Sequence, residues 1–178
     1  MKDVYIYDSI RTPRGKGRKE GALHEVSALS LSVTAIDAIA GRNGLEGHAV
    51  EDVIWGNVTQ VGEQGACLAR TAVLASQLDE SIPGLSINRF CASGLESVNL
   101  SPMKIKSGYQ DLIVAGGIEC MSRVPMGSDG GSITLEPKVN IIKKMNKLII
   151  DAVKDNIFFM IILSLIHISE PTRLLSIS

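Results

Sequence analysis

A chain of 178 residues can bury one ordinary hydrophobic core, and 45% hydrophobic with 21% charged residues is a globular balance that argues against general disorder. A formal net charge of −1 offers no basic field to nucleic acid, and the longest apolar stretch, Ile157 to Leu163, is too short to span a bilayer, so no membrane partner is expected. Three cysteines cannot all pair and show no C-x-x-C spacing; neither a disulfide framework nor a metal site is expected, and free thiols point to a cytoplasmic compartment.

Met1 to Ser9 alternates apolar with polar residues and lacks the continuous apolar core of a signal peptide. Within it, Val4-Tyr5-Ile6-Tyr7 reads as a strand that ends at the Thr12-Pro13-Arg14-Gly15 turn signal, and the positive run Arg11 to Lys19 reads as a solvated loop. From Ser27 the period changes: Leu29, Val33, Ile36 and Ala40 recur on one helical face, and Gly41 is expected to end that helix. Val50 to Val58 is a second strand candidate. Leu68, Ala72, Ala75 and Leu78 repeat the helical spacing, and Pro83-Gly84 punctuates. Leu85 to Phe90 is a short third strand, Ala92 to Lys106 a third helix, and Asp111 to Ala115 a continuous apolar run of the kind buried on both faces of a sheet. Strands alternating with helices predict an α/β fold with a mostly parallel sheet.

The tail breaks this pattern. From about Val139 the glycine content collapses, the residues show no clear amphipathic period, and the last stretch looks like translated vector or adaptor sequence. Residues 1–138 are therefore expected to form the folded part, and 139–178 to be a non-native tail, disordered or irregularly helical.

The segment with chemical content is Asn88-Arg89-Phe90-Cys91-Ala92-Ser93-Gly94. It puts Cys91 where a strand ends and a helix begins. The first N–H groups of a helix lack internal partners, and the macrodipole adds roughly half a positive charge there, so both effects favour a thiolate. Small residues at 92–94 would let a thioester approach the backbone, and the Cys91 N–H could donate to an oxyanion. Cys67 also precedes a helix, and Cys120 sits in the Glu119-Cys120-Met121-Ser122 segment; both are read as structural. Gly116-Gly117 lacks the G-x-G-x-x-G frame and is not read as a nucleotide loop.

The run Ile87 to Glu96, followed by a helix and then Asp111 to Gly127, resembles the thiolases. The same resemblance extends to Ser9-Ile10-Arg11-Thr12-Pro13, to Gly56-Asn57-Val58 with Gln60 and Gly62, and to Ala69-Arg70; it covers residues 1 to 138. It implies the N-terminal half of a thiolase-like fold, in which two similar α/β halves stack, and acyl transfer between CoA thioesters through an acyl group held on Cys91. CoA and acyl-CoA enter as substrates and no cofactor is implied; the intact enzyme would be a homodimer or homotetramer. The family's general base and second catalytic cysteine belong to motifs that do not occur in this sequence: His24 and His48 lie in predicted loops and His167 in the tail. The chain alone is therefore expected to have negligible turnover. Alternatives are a non-catalytic thiolase-fold protein that binds acyl-CoA or dimerises, and a ketoacyl-synthase-like condensing enzyme. Pro102 departs from the family pattern, falling inside the third helix, where it clashes with the carbonyl of Val98 at a cost on the order of 3 kcal/mol.

Overall fold

The computed structural model describes residues 3–45, 49–130 and 163–167. In chain order they form β1 (Tyr5–Ile10), α1 (Ala28–Asn43), β2 (Asp52–Gly56), α2 (Leu68–Ala75), β3 (Gly84–Ile87), α3 (Ser93–Lys106), β4 (Leu112–Gly117) and β5 (Leu163–His167). The strands make one sheet in the order β1-β5-β4-β2-β3. β2 is parallel to both β3 and β4, while β5 runs antiparallel to β4 and to β1, so β1 to β4 all point one way. The α/β class and the parallel arrangement expected of strands one to four are both present. The remainder of the expected 139–178 tail lies outside the described residues; its described part, Leu163–His167, is a strand seated between β1 and β4.

Alternation along the buried strands sorts the two faces. Val53, Trp55, Leu112 and Val114 join α1 and α2 in the larger core, whereas Ile54 and Ile113 meet Ile105 of α3 on the opposite side. Trp55 is fully buried, and its indole N–H donates to the Ser32 hydroxyl at 3.1 Å; that hydroxyl in turn donates to the Ala28 carbonyl at 2.8 Å. The buried face of α1 is accordingly Ala28, Leu31, Ser32, Ala35, Ile36, Ile39 and Ala40, rotated from the expected Leu29-Val33-Ile36-Ala40 stripe. Gly41 does not end this helix. The Ser27 hydroxyl caps its start by accepting the Ser30 N–H, and Gly44, left-handed at φ 58°, closes it.

The third helix lies close on its sheet face because the residues it buries are small. Ser93, Ser97, Ser101 and Ile105 recur every four positions and are all buried. Each serine hydroxyl donates to a carbonyl; Ser97 reaches both Gly94 O at 2.6 Å and Gly116 O at 2.7 Å, which pins helix to β4. At the far end Lys104 is ion-paired to the buried Asp52 of β2. Pro102 is accommodated within the helix. The outward side of α3 carries Leu95, 59% exposed, and Met103, 65% exposed.

Candidate active site around Cys91

The C-terminal ends of β2 and β4 are glycines, and the start of α3 rests on them. A β-carbon on Gly56 would run into the backbone of Ser93 and Gly94; one on Gly117 would stand 2.7 Å from Gly56 O and 3.3 Å from the α-carbon of Gly94. No side chain separates sheet from helix, so the helix N-terminus is seated on the carboxyl edge of the sheet. That edge is where open α/β sheets place their ligand sites. The sequence marked both glycines only as parts of a motif; their use as a platform follows from topology.

Cys91 follows β3 by a sharp bend and precedes the first helical residue, Ser93, by two positions. Phe90, immediately before it, is left-handed at φ 49° although it is not glycine. The bend is stitched by short hydrogen bonds. Asn88 Oδ1 accepts the Phe90 N–H at 2.8 Å, the Ser93 hydroxyl accepts the Arg89 N–H at 2.8 Å, and it donates to the Phe90 carbonyl at 2.6 Å. The N-cap position of α3, Ala92, offers no side-chain cap, and Arg89 pairs with Glu96 in the first turn at 3.0 Å. Cys91 itself is exposed. A thiol presented to solvent at an uncapped helix start, over a sheet's carboxyl edge, can be reached by an electrophilic carbonyl.

Of the small residues expected to leave room for substrate, Ser93 is turned into the sheet contact instead. Gly94 does leave room: a β-carbon there would meet nothing within 4 Å. Asn88, Phe90 and Ser93 were not singled out from sequence as holding the bend. The available signal was an Asn three residues before the cysteine and a Ser two after it.

The other cysteines differ in setting. Cys120 is buried, and that burial pushes its thiol up, against a hydrogen bond with Ser122. Cys67 is exposed and left-handed at φ 56°, and its Sγ lies 3.4 Å from Gly84 O. Partial burial works against its ionisation, but hydrogen bonding from the Arg70 backbone and from Ser86 outweighs this and holds the thiol below the usual range.

A second cluster joins segments that the resemblance quoted separately. Glu119 accepts the Val58 N–H at 2.8 Å, the Thr59 N–H at 3.2 Å and the Gln64 side-chain amide at 2.8 Å, and Gln64 Oε1 accepts the Cys120 N–H at 2.6 Å. A hollow of about 70 Å³ lined by residues including Thr12, Arg14, Leu23, Glu119 and Cys120 lies beside it and does not include Cys91. His24 leaves a buried Nδ1 without a hydrogen-bond partner, His48 is outside the described residues, and His167 ends β5. Among the described residues no group of His, Cys, Asp and Glu could hold a metal ion, and no helix is long and apolar enough to cross a membrane.

Comparison with known proteins identifies the family of the fold. Residues 4–159 match the family described as thiolase, N-terminal domain. A 3-ketoacyl-CoA thiolase of Colwellia psychrerythraea is 40% identical over 141 residues, covering 79% of this chain and 36% of that protein. A β-ketoadipyl-CoA thiolase of Pseudomonas putida is 42% identical over 126 residues, 70% of this chain and 31% of that one. The crystal structure of the Bacillus anthracis acetyl-CoA acetyltransferase superposes with a TM-score of 0.64 at 36% identity, covering 70% of this chain and 31% of that chain. The chain thus spans about a third of the length of the relatives it matches. It belongs to the thiolase family and carries that family's N-terminal domain.

Proposed function

We propose that Cys91 is the acyl carrier of a thiolase-type acyltransferase, an acetyl-CoA C-acyltransferase acting on CoA thioesters. The single observation that supports it is the exposed Cys91 thiol presented at the start of α3 above the Gly56–Gly117 platform. In thiolysis the cysteine sulfur attacks the 3-oxo carbonyl of a 3-oxoacyl-CoA. The bond between carbons 2 and 3 breaks, its electron pair leaves on acetyl-CoA as the enolate and is protonated, and the acyl group stays on sulfur. A CoA thiol then attacks that thioester and frees Cys91. Dividing the transfer in this way replaces one difficult step by two easier ones.

The reaction needs a base for the cysteine proton and an acid for the departing acetyl group. Neither is assigned within this chain, which spans about a third of its relatives. Cys91 therefore accepts an acyl group slowly, and the chain by itself does not turn over. The remaining protein would supply the missing base and acid, most of the CoA contacts, a cover for Leu95 and Met103, and the dimeric or tetrameric assembly. The three free thiols accord with a cytoplasmic setting. A non-native origin for the sequence after about residue 138 is part of the same proposal.

Incubating the chain with acetoacetyl-CoA and mapping adducts by peptide mass spectrometry tests this reading. An acyl group confined to Cys91, lost in Cys91→Ala, is expected without sustained product formation. Acylation of Cys67 in preference to Cys91 would contradict it. Retention of acyl-CoA with no adduct would favour a non-catalytic binding protein.

A further inference from the structure

The bend that presents Cys91 is gripped from two directions. The helix side supplies Ser93, as described above. The other side is Asn88, whose amide spans two segments: Nδ2 donates to the Val58 carbonyl at 3.0 Å while Oδ1 accepts the Phe90 N–H at 2.8 Å. Val58 is fixed in turn, since its own N–H and that of Thr59 donate to Glu119, which also holds Gln64. A continuous hydrogen-bonded path therefore runs from Glu119 at the end of β4, through Val58 after β2, to the residue before Cys91. Phe90 needs such a restraint. It is left-handed, a conformation unfavourable for a bulky residue, and it is 52% exposed, so packing of its ring contributes little to holding it there.

We infer that Asn88 is a positioning residue for Cys91 and that Glu119 is the anchor through which it acts. Asn88 keeps Phe90 in its left-handed conformation, and this conformation turns the chain from β3 into the start of α3 with Cys91 facing solvent. Glu119 fixes the Val58 carbonyl that Asn88 grips. The inference rests on the reading of Cys91 as the acyl carrier, but its geometry can be measured separately.

The test uses the full chain with Cys67→Ser, which leaves Cys91 as the exposed one of the two remaining cysteines. Two quantities are followed, amide hydrogen exchange at Phe90 and the rate of Cys91 alkylation. Asn88→Ala is expected to speed Phe90 exchange and to slow alkylation, each by about tenfold, the effect of losing one hydrogen bond. Adding Phe90→Gly to Asn88→Ala should bring alkylation back to within about threefold of the parent, because glycine adopts φ > 0 without support. Glu119→Ala should give a smaller slowing, and the Asn88→Ala/Glu119→Ala pair should be no slower than Asn88→Ala alone, since both act on one path. An Asn88→Ala chain with unchanged Phe90 exchange, additive effects in the pair, or no rescue by glycine would each overturn the inference. A parent in which Cys91 reacts no faster than Cys120 would instead sink the acyl-carrier reading, while Phe90 exchange would still report on the path.

Discussion

Gly56 and Gly94 meet backbone to backbone: a β-carbon on Gly56 would stand 2.5 Å from the Gly94 amide nitrogen. This contact sets the height of α3 above the sheet and so determines where Cys91 stands. Gly56→Ala must push the helix away or distort β2, and is expected to destabilise the chain by roughly 1–3 kcal/mol while slowing Cys91 alkylation. Gly94→Ala is the matched control. Its β-carbon would point into open space within a helix, so stability should be unchanged or raised by up to about 1 kcal/mol. Urea denaturation of the two variants checks the contrast; equal losses would contradict it.

Pro102 interrupts the hydrogen bonding of α3 without ending it, for the helix runs on to Lys106. Ser97, bonded to the Gly116 carbonyl of β4, and the Lys104–Asp52 pair hold the helix against the sheet on either side of the proline. Pro102→Ala restores one backbone donor to the helix and substitutes a strong helix former, and is expected to raise stability by about 2–3 kcal/mol. The shift in urea midpoint is the measurement.

Arg123 grips Glu63 with two nitrogens, Nε at 2.7 Å from Oε1 and Nη2 at 2.9 Å from Oε2, and donates to the His24 carbonyl at 3.0 Å. The Arg123 hydrogen bond holds the Glu63 carboxyl below the usual carboxylate range, and burial opposes this only in part. A carboxyl depressed in the folded state adds stability above its unfolded pKa, and that stability is lost as pH falls through the folded value. Stability should therefore drop on acidification below about pH 4. Glu63→Gln should flatten that part of the profile, which urea titrations at a series of pH values would show.

Much of this was legible from residue type. A continuous apolar run marks β4, helical spacing marks the approximate spans of α1 and α2, and the strand candidate Val50–Val58 and helix Ala92–Lys106 fall on β2 and α3. What escaped had physical reasons. Ser32 is buried because Trp55 needs an acceptor, and hydropathy alone would leave it outside the core. Ser93, Ser97 and Ser101 face the sheet because close approach favours small residues that satisfy themselves on helix carbonyls. The left-handed Phe90 depends on Asn88 and Val58, which are distant in sequence, and no local propensity records that pairing. For the same reason β5 was not foreseen: Leu163–His167 pairs with strands at the other end of the chain and near its middle.

Site-resolved alkylation of the unmodified chain tests the placement of the nucleophile most directly. With limiting iodoacetamide near neutral pH, Cys91 should be modified first because its thiol stands open at the start of α3, Cys67 second because its Sγ is engaged with the Gly84 carbonyl, and Cys120 last because it is buried and its thiol is pushed up. Modification of Cys67 ahead of Cys91, or of all three at one rate, would contradict the assignment of Cys91 as the acyl carrier.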